Sequence, residues 1–264
     1  MKNIKLRPFY FVVGLSFSCS VALPILLPPV QAAEEIQYLT STTGEITREN
    51  KADIRGVRGL RGVRGVRGIR GACTQLKENF ALRLLVPEHT GKTLDAQPTL
   101  YWFVSQPLTA AEFIFILDKV PSTNNAEFSE PIIKTNLKLS VPAGIQALPF
   151  AKILPPNKSQ FQLKTGVEYR WTLLLTCHPD YPSLDIKSTG TIKRIEPSVE
   201  LSAELQQSSP EKLPYLYAKN GFWYNALDEL AKQIGEHADN NALHKVRVDL
   251  LKQGGLSEVV AYDK

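Results

Sequence analysis

The sequence predicts a mainly β protein with α-helices at its C-terminal end. In residues 72–197, short runs of β-branched and aromatic residues are separated by breaks rich in Pro, Gly, Asn and Asp, which is typical of antiparallel strands. Beyond residue 197 the spacing of apolar residues becomes helical. About seven strands at this spacing favour an antiparallel β-sandwich over residues 72–197, followed by a helical region over residues 198–264.

The strands are predicted from apolar alternation and from the breaks that bound each run. They cover residues 80–87, 100–105, 112–118, 136–141, 144–150, 167–177 and 185–195. The sixth run is the clearest, because Tyr169, Trp171 and Leu173 fall on one face. The run 144–150 is predicted to be an edge strand, since Pro149 has no N–H to donate to a neighbour.

Tyr169 stands at the start of the sixth strand in the stretch "LKTGVEYRW", six residues after Leu163. This pattern resembles the tyrosine corner of immunoglobulin-like and fibronectin-like sandwiches, in which the ring packs inward and the hydroxyl satisfies a backbone group. An ordinary core tyrosine is the alternative. The resemblance implies a sandwich of the immunoglobulin or fibronectin kind.

The helical region carries its own start and stop residues. Ser198 is a predicted N-cap, and Ser209 is a second one with Pro210 at the first helical position. Gly221 is predicted to end that second helix, and a last helix is expected over residues 242–253. The stretch 217–241 resembles a tetratricopeptide helical hairpin, although a plain hairpin fits equally well. Because such repeats need about three copies to fold alone, these helices are expected to dock on the sandwich or on a partner.

The N-terminal segment predicts export. Residues 1–32 combine a basic start, a long apolar run and small residues, as in a signal peptide cleaved after Ala32. An uncleaved membrane anchor is the alternative, and a lipoprotein signal at Cys19 is a weaker one. Residues 33–71 are polar or repetitive and are predicted to form a disordered linker. We therefore expect a periplasmic, envelope-associated or extracellular protein, or one anchored in the inner membrane.

Export leaves the mature chain with two cysteines, Cys73 and Cys177. In an oxidising compartment this pair predicts one disulfide. A metal site or a reactive thiol is the alternative, but there is no Cys-x-x-Cys motif and the four histidines are not spaced as ligands. No metal and no cofactor is predicted.

The positive charge is concentrated in "RGVRGLRGVRGVRGIRG", residues 55–71. Three of the 31 basic residues precede residue 33 and no acidic residue does, which leaves 28 basic and 26 acidic residues in the mature chain. The repeat supplies six of those 28, so the remainder is mildly acidic. Its arginines are Arg55, Arg58, Arg61, Arg64, Arg67 and Arg70.

A period of three fits polyproline II better than a strand or an α-helix, and would place these arginines on one ridge. We expect contact with anionic lipid, at about 1 kcal/mol per arginine, or with acidic polysaccharide. A neutral slippage expansion is the alternative. Export argues against a nucleic-acid partner.

The sequence contains no recognisable catalytic motif. There is no Gly-x-Ser-x-Gly elbow, no His-Glu-x-x-His and no phosphate-binding glycine loop. The nearest candidate is the cluster of His178, Asp180 and Asp185, which a Pro/Asp-rich turn explains without chemistry. Glu88 and His89, in the loop after the first strand, have the same explanation.

A surface for carbohydrate is the remaining possibility that residue types suggest. Trp102, Trp171 and Trp223 would form an aromatic platform if exposed, but core packing is the better interpretation of Trp171 and Trp223. The loops over residues 87–99 and 118–131 are long for hairpin connections, and long loops on a sandwich often bind ligands.

Seven stretches together resemble a family of exported proteins found mainly in cyanobacteria and classed as domain of unknown function 928. They are "RGACTQ", "LRLLVPE", "PTLYWFV", "AEFIFILD", "YRWTLLLTC", "IKRIEPS" and "LYAKNGFWYNALDELA". The resemblance runs from about Gly68 to the C-terminus. Members similarly have an Arg/Gly-rich segment before the first cysteine, usually a less regular one. The resemblance implies no activity and no site residues.

We therefore expect a non-enzymatic binding or scaffolding protein of the cell envelope. Its expected partner is an envelope protein, an anionic polysaccharide or a lipid surface. The alternative is an extracytoplasmic hydrolase or carbohydrate-active enzyme whose site is assembled from distant residues without a motif.

Overall fold

The computed structural model describes residues 35–39, 73, 76–77, 79–121, 131–178 and 181–260. The predicted signal peptide, the Arg-Gly repeat and Asp180 lie outside these residues. The described residues group as one compact unit. Within the described residues, we find no helix with both the length and the apolar character needed to cross a membrane.

Among the described residues, eight strands form two sheets. They are β1 (Leu82–Leu84), β2 (Gly91–Thr93), β3 (Thr99–Val104), β4 (Leu108–Lys119), β5 (Ile133–Val141), β6 (Gly144–Pro149), β7 (Glu168–Leu175) and β8 (Ile186–Arg194). The smaller sheet has the order β1-β3-β6 and the larger has the order β2-β8-β7-β4-β5. All seven predicted strands are present, and β6 is an edge strand as predicted.

The larger sheet is mixed, which corrects the prediction of a purely antiparallel sandwich. Strand β2 pairs in parallel with β8, with Gly91 opposite Ile192 and Thr93 opposite Arg194. Strand β2 was not predicted, because it is three residues long and lies inside the loop predicted over residues 87–99. Its pairing therefore places that loop against the end of β8.

The two sheets pack against each other through large inward side chains. Trp102 of β3 meets Phe113 of β4 edge to face, with ring centroids 5.2 Å apart. The backbone N–H of Leu84 in β1 donates to the Ser188 hydroxyl of β8 at 3.0 Å. A mainly β architecture of two packed sheets is thus confirmed.

The C-terminal part is helical, as predicted. After the short α1 (Phe150–Ile153), the helices are α2 (Val199–Gln207), α3 (Leu213–Lys219), α4 (Trp223–Glu236), α5 (Asn241–Gln253) and α6 (Ser257–Val260). Short 3-10 turns cover Pro156–Lys158, Pro182–Leu184 and Pro210–Lys212. Ser198 caps α2 by accepting from the Leu201 N–H at 3.1 Å, as predicted. Ser209 instead precedes the last of these turns, and its side chain makes no capping hydrogen bond.

The sheets and helices α3 to α6 share the main hydrophobic core, whereas α2 packs with α3 in a second, smaller cluster. The Trp171 indole of β7 donates to the Tyr224 hydroxyl at 3.0 Å, and that hydroxyl donates to the Thr191 carbonyl of β8 at 3.0 Å. Trp223 donates from its indole to the Leu85 carbonyl at 2.8 Å. Helix α4 is therefore hydrogen-bonded both to the larger sheet and to Leu85, which directly follows β1 of the smaller sheet.

The predicted disulfide is confirmed. Cys73 and Cys177 are bonded, with 4.9 Å between their Cα atoms and a separation of 104 residues. The bond ties the chain before β1 to the chain directly after β7. Because disulfides persist in oxidising compartments, it indicates a non-cytoplasmic location.

Candidate functional site

Residues 35–39, called the N-terminal segment below, lie extended on the fold. Ile36 is 2% exposed and Tyr38 is 8% exposed, whereas Glu35, Gln37 and Leu39 are exposed. This alternation has the period of two that an extended chain gives when one face is buried. The prediction of a disordered linker over residues 33–71 is therefore corrected for residues 35–39, because the buried side chains of Ile36 and Tyr38 anchor them on the fold.

The groove that receives the segment is formed by His89, Ala218, Gly221, Trp223 and Gln253. These residues come from the β1–β2 loop, the end of α3, the following turn, the start of α4 and the end of α5. The fold assembles them from positions far apart in the sequence. No local pattern could have identified the set.

Gln253 makes hydrogen bonds to the main chain of the segment through both the oxygen and the nitrogen of its side-chain amide. Its oxygen accepts the Tyr38 backbone N–H at 2.7 Å, and its nitrogen donates to the Ile36 carbonyl at 2.8 Å. Ala218 adds a third main-chain bond, since its carbonyl accepts the Leu39 N–H at 3.1 Å. Such bonds hold an extended backbone regardless of its side chains, as a neighbouring strand would.

Tyr38 fills the centre of the groove. Its hydroxyl shares a hydrogen bond of 2.8 Å with Nε2 of His89, and the two rings stack with centroids 5.5 Å apart. Trp223 meets the same ring edge to face at 5.0 Å. The groove therefore offers a tyrosine both aromatic surface and a polar partner for its hydroxyl.

Burial sets the protonation of this pair. Desolvation lowers the pKa of His89, and the positive charge of Lys92 lowers it further, while Glu88 acts in the opposite direction. Desolvation also raises the pKa of the Tyr38 phenol far above its usual value. A neutral imidazole and a neutral phenol are thus the forms that fit the groove.

Two glycines make room in the groove. Gly221 has φ +78°, and a Cβ there would lie 3.1 Å from the Leu39 carbonyl oxygen. A Cβ at Gly254 would overlap the Trp223 ring, which packs directly on that backbone. Both positions need glycine, the first for its backbone conformation and the second for close approach.

A second polar cluster lies where α4 meets the β2–β3 connection. Asn225 donates from its side-chain amide to Asp95 at 2.8 Å and accepts from the Leu94 backbone N–H at 2.9 Å. Tyr101 donates from its hydroxyl to Asp228 at 2.8 Å. Burial, followed by the nearby charge of Asp228, raises the pKa of Asp95.

Lys232 neutralises the outer side of that cluster. Its ammonium lies 2.9 Å from a carboxylate oxygen of Asp228 and 2.7 Å from one of Glu229. The described carboxylates of the cluster therefore have protein partners, and they tie α4 to the strand layer. In the described part of the chain, no group of three or more His, Cys, Asp or Glu residues is arranged to hold a metal ion.

The other predicted site residues are dispersed. The His178 ring packs on Tyr181 at 4.8 Å, and Asp185 accepts the Cys177 backbone N–H at 2.9 Å, so Asp185 shapes the turn. Trp102, Trp171 and Trp223 are at most 1% exposed, which excludes the aromatic platform and confirms core packing. Tyr169 lies at the start of β7, and its hydroxyl accepts a hydrogen bond from the Lys164 backbone N–H at 3.2 Å.

Six predicted contact residues cannot be placed. The arginines Arg55, Arg58, Arg61, Arg64, Arg67 and Arg70 all lie outside the described residues. Their predicted contact with an anionic surface therefore stays a prediction.

A family model described as Domain of Unknown Function 928 matches residues 61–263. No curated protein matches the chain. The match covers the strands, the helices and every residue of the groove.

Proposed function

The chain belongs to the family described as domain of unknown function 928, and because that description names no activity, we propose a function from the groove. The protein is a non-catalytic binding or scaffolding protein of the cell envelope. The observation that supports this proposal most is the set of hydrogen bonds from Gln253 and Ala218 to the main chain of the N-terminal segment.

Main-chain recognition suits a protein partner. An extended polypeptide offers one N–H and one C=O per residue, and the groove meets three of these groups across Ile36, Tyr38 and Leu39. A small sugar or lipid headgroup offers no such repeated pattern. We therefore place a polypeptide first among the predicted partners.

Export is the second part of the proposal. The disulfide between Cys73 and Cys177 indicates a non-cytoplasmic location, and residues 1–32 have the sequence features of a signal peptide. Cleavage after Ala32 would leave Ile36 as the fourth residue of the mature chain. The groove would then hold the new N-terminus.

The finer fold assignment is also a proposal. We infer an immunoglobulin-like or fibronectin-like sandwich, which the Tyr169 hydroxyl bond to Lys164 supports. We likewise infer a tetratricopeptide-like hairpin over residues 217–241, which span the end of α3, helix α4 and the turn that follows it. A superposition on solved members of those folds, with the same strand and helix order, would test both.

The Arg-Gly repeat is proposed to add adhesion to anionic lipid or acidic polysaccharide. Deleting residues 55–71 removes six positive charges from the chain, and we expect weaker retention in the envelope fraction at low salt. A matched control replaces the six arginines by lysine, which keeps the charge. Unchanged retention after the deletion would contradict this part.

Site-specific photocrosslinking tests the binding role. A photoreactive residue at Lys219, which is exposed beside Ala218, is expected to capture a discrete envelope protein in the producing cells. A second probe at Val199, which is 82% exposed on α2, is the matched control. Capture at Lys219 that disappears in Gln253→Ala would support the role, and equal capture at both positions would contradict it.

An extracytoplasmic hydrolase is the second candidate, favoured by the unlike carboxylates Asp95 and Asp228. The pKa of Asp95 is raised, whereas Asp228 is paired with Lys232. Acid–base catalysis uses two carboxylates in unlike environments of this kind. Assays of polysaccharide and ester hydrolysis with Asp95→Asn and Asp228→Asn test it. We expect no turnover by the unmutated protein, and a turnover that either substitution abolishes would replace our proposal.

A further inference from the structure

The N-terminal segment presents a two-point pattern to the groove. Ile36 and Tyr38 point inward, with one exposed residue between them. We propose that the groove binds an extended segment of a partner polypeptide that carries an aliphatic residue followed two positions later by tyrosine. Residues 35–39 are the exchangeable occupant of this site in the free chain. The inference rests on the proposed binding function and names its partner class.

The groove recognises two features of such a segment, its extended backbone and its tyrosine side chain. Gln253 and Ala218 bond the backbone, which selects an extended conformation rather than a helix. His89 and Trp223 surround the ring at the second inward position, and the His89 nitrogen meets the phenol oxygen at 2.8 Å. Phenylalanine would leave that nitrogen without its partner, so tyrosine is the preferred aromatic.

The groove keeps its shape through contacts that do not involve the segment. The Trp223 indole is held by the Leu85 carbonyl and its ring rests on Gly254. Gln253 ends α5, and Ala218 belongs to α3, which packs against α4. The acceptor surface is therefore built by the folded part of the chain, and another segment can use it.

The segment is joined to the fold by a long connection. Thirty-three residues, 40–72, separate Leu39 from Cys73, which the disulfide fixes. Because the sequence predicts a linker there, the segment has an effective concentration on the order of millimolar at the groove. A partner segment of equal intrinsic affinity would therefore half-displace it only at about that concentration. A natural partner needs either a better match or a high local concentration.

This competition makes the proposal measurable with a synthetic peptide. The probe is a fluorescein-labelled peptide of sequence EIQYL, and the readout is its polarisation upon titration with the mature chain. We expect the unmutated chain to bind near millimolar concentration. Tyr38→Ala weakens the chain's own occupant, so the peptide is expected to bind at least about tenfold more tightly to that variant.

Three controls isolate the groove. Gln253→Ala in the Tyr38→Ala background is expected to abolish peptide binding, whereas Gln206→Ala on α2 is expected to leave it unchanged. The peptide EDQDL, which replaces both inward residues, is expected not to bind. Ile36→Ala serves in place of Tyr38→Ala if the latter does not fold, as judged by its thermal transition.

Each outcome decides the proposal. Equal binding of EIQYL and EDQDL, or no gain from weakening the chain's own segment, would overturn it. Failure of the unmutated chain to bind EIQYL at several millimolar would overturn it without any variant. Capture of an envelope protein from Lys219 does not depend on this peptide, so failure of the peptide test leaves the binding role to be judged separately.

Discussion

Gln253 and Tyr38 lie 215 positions apart, and the side-chain oxygen of the first accepts the backbone N–H of the second at 2.7 Å. This bond, with its companion to the Ile36 carbonyl, closes the chain between the end of α5 and the start of the folded part. The C-terminal helices therefore build a receptor for the N-terminal segment as well as packing on the sheets.

Removing the Gln253 amide should destabilise the fold. Gln253→Ala removes two part-buried hydrogen bonds, one to the Tyr38 N–H and one to the Ile36 carbonyl, and we expect the free energy of unfolding to fall by about 1–3 kcal/mol. Urea denaturation of the oxidised protein measures this. Gln206→Ala, at an exposed position of α2, should change it by less than about 0.5 kcal/mol, and an equal effect of the two substitutions would contradict the bonding.

A side chain at Gly221 should disturb the same contact. Gly221→Ala forces a residue with a Cβ into φ +78° and against the Leu39 carbonyl, so we expect a loss of about 1–2 kcal/mol. Gly235→Ala is the matched control, because Gly235 lies within α4 with nothing within 4 Å of its Cβ position. That change should stabilise the protein by about 0.5–1 kcal/mol. Thermal unfolding of both variants would show opposite signs.

The Tyr224 hydroxyl should be essential for the junction of sheet and helix. Tyr224→Phe removes the acceptor of the Trp171 indole and the donor to the Thr191 carbonyl, and we expect a loss of about 1–3 kcal/mol. Tyr181→Phe, at a half-exposed ring, should leave stability unchanged. Calorimetric comparison of the two distinguishes a structural hydroxyl from a general effect of removing a phenol.

Reduction of the disulfide should weaken the whole fold. Opening a loop closed across 104 residues is worth about 4–5 kcal/mol in the chain-entropy model. We expect the midpoint of urea unfolding to fall markedly when Cys73→Ala and Cys177→Ala are combined. A midpoint equal to that of the oxidised protein would show that the bond adds no stability.

Acid should loosen the N-terminal segment through His89. The pKa of His89 is lowered in the fold, chiefly by desolvation and then by Lys92, so the unfolded state binds the proton more readily. Stability from this group is therefore full above the unfolded pKa of about 6.5 and falls as pH drops from there toward the folded pKa. His89→Gln should flatten the profile of stability against pH below about 6.5. An unchanged slope would contradict the assignment.

The strands could be predicted from the sequence because their signals are local. The apolar alternation around Trp171 predicts its strand, and the missing N–H of Pro149 predicts an edge strand. Each signal lies within a few residues. Strand β2 gave no such signal, since Gly91–Thr93 has no apolar alternation and its partner Ile192 lies about a hundred residues away. Parallel pairing of this kind is decided by the tertiary fold.

The groove was beyond prediction for the same reason. Ile36 and Tyr38 form one alternation in a polar stretch, too short to stand out from a linker. Gln253 is the last residue of α5, and the local sequence there indicates only that the following glycines end the helix. The burial that joins these residues exists only once α4 and α5 have packed on the sheets.

Hydrogen exchange at the Tyr38 and Leu39 amides tests the central claim most directly. Both N–H groups are bonded in the groove, so in the full mature chain we expect exchange slowed by at least about a hundredfold relative to an unstructured peptide, a protection that Gln253→Ala abolishes at Tyr38. Exchange at the unstructured rate in the unmutated protein would contradict the groove and the binding role proposed from it.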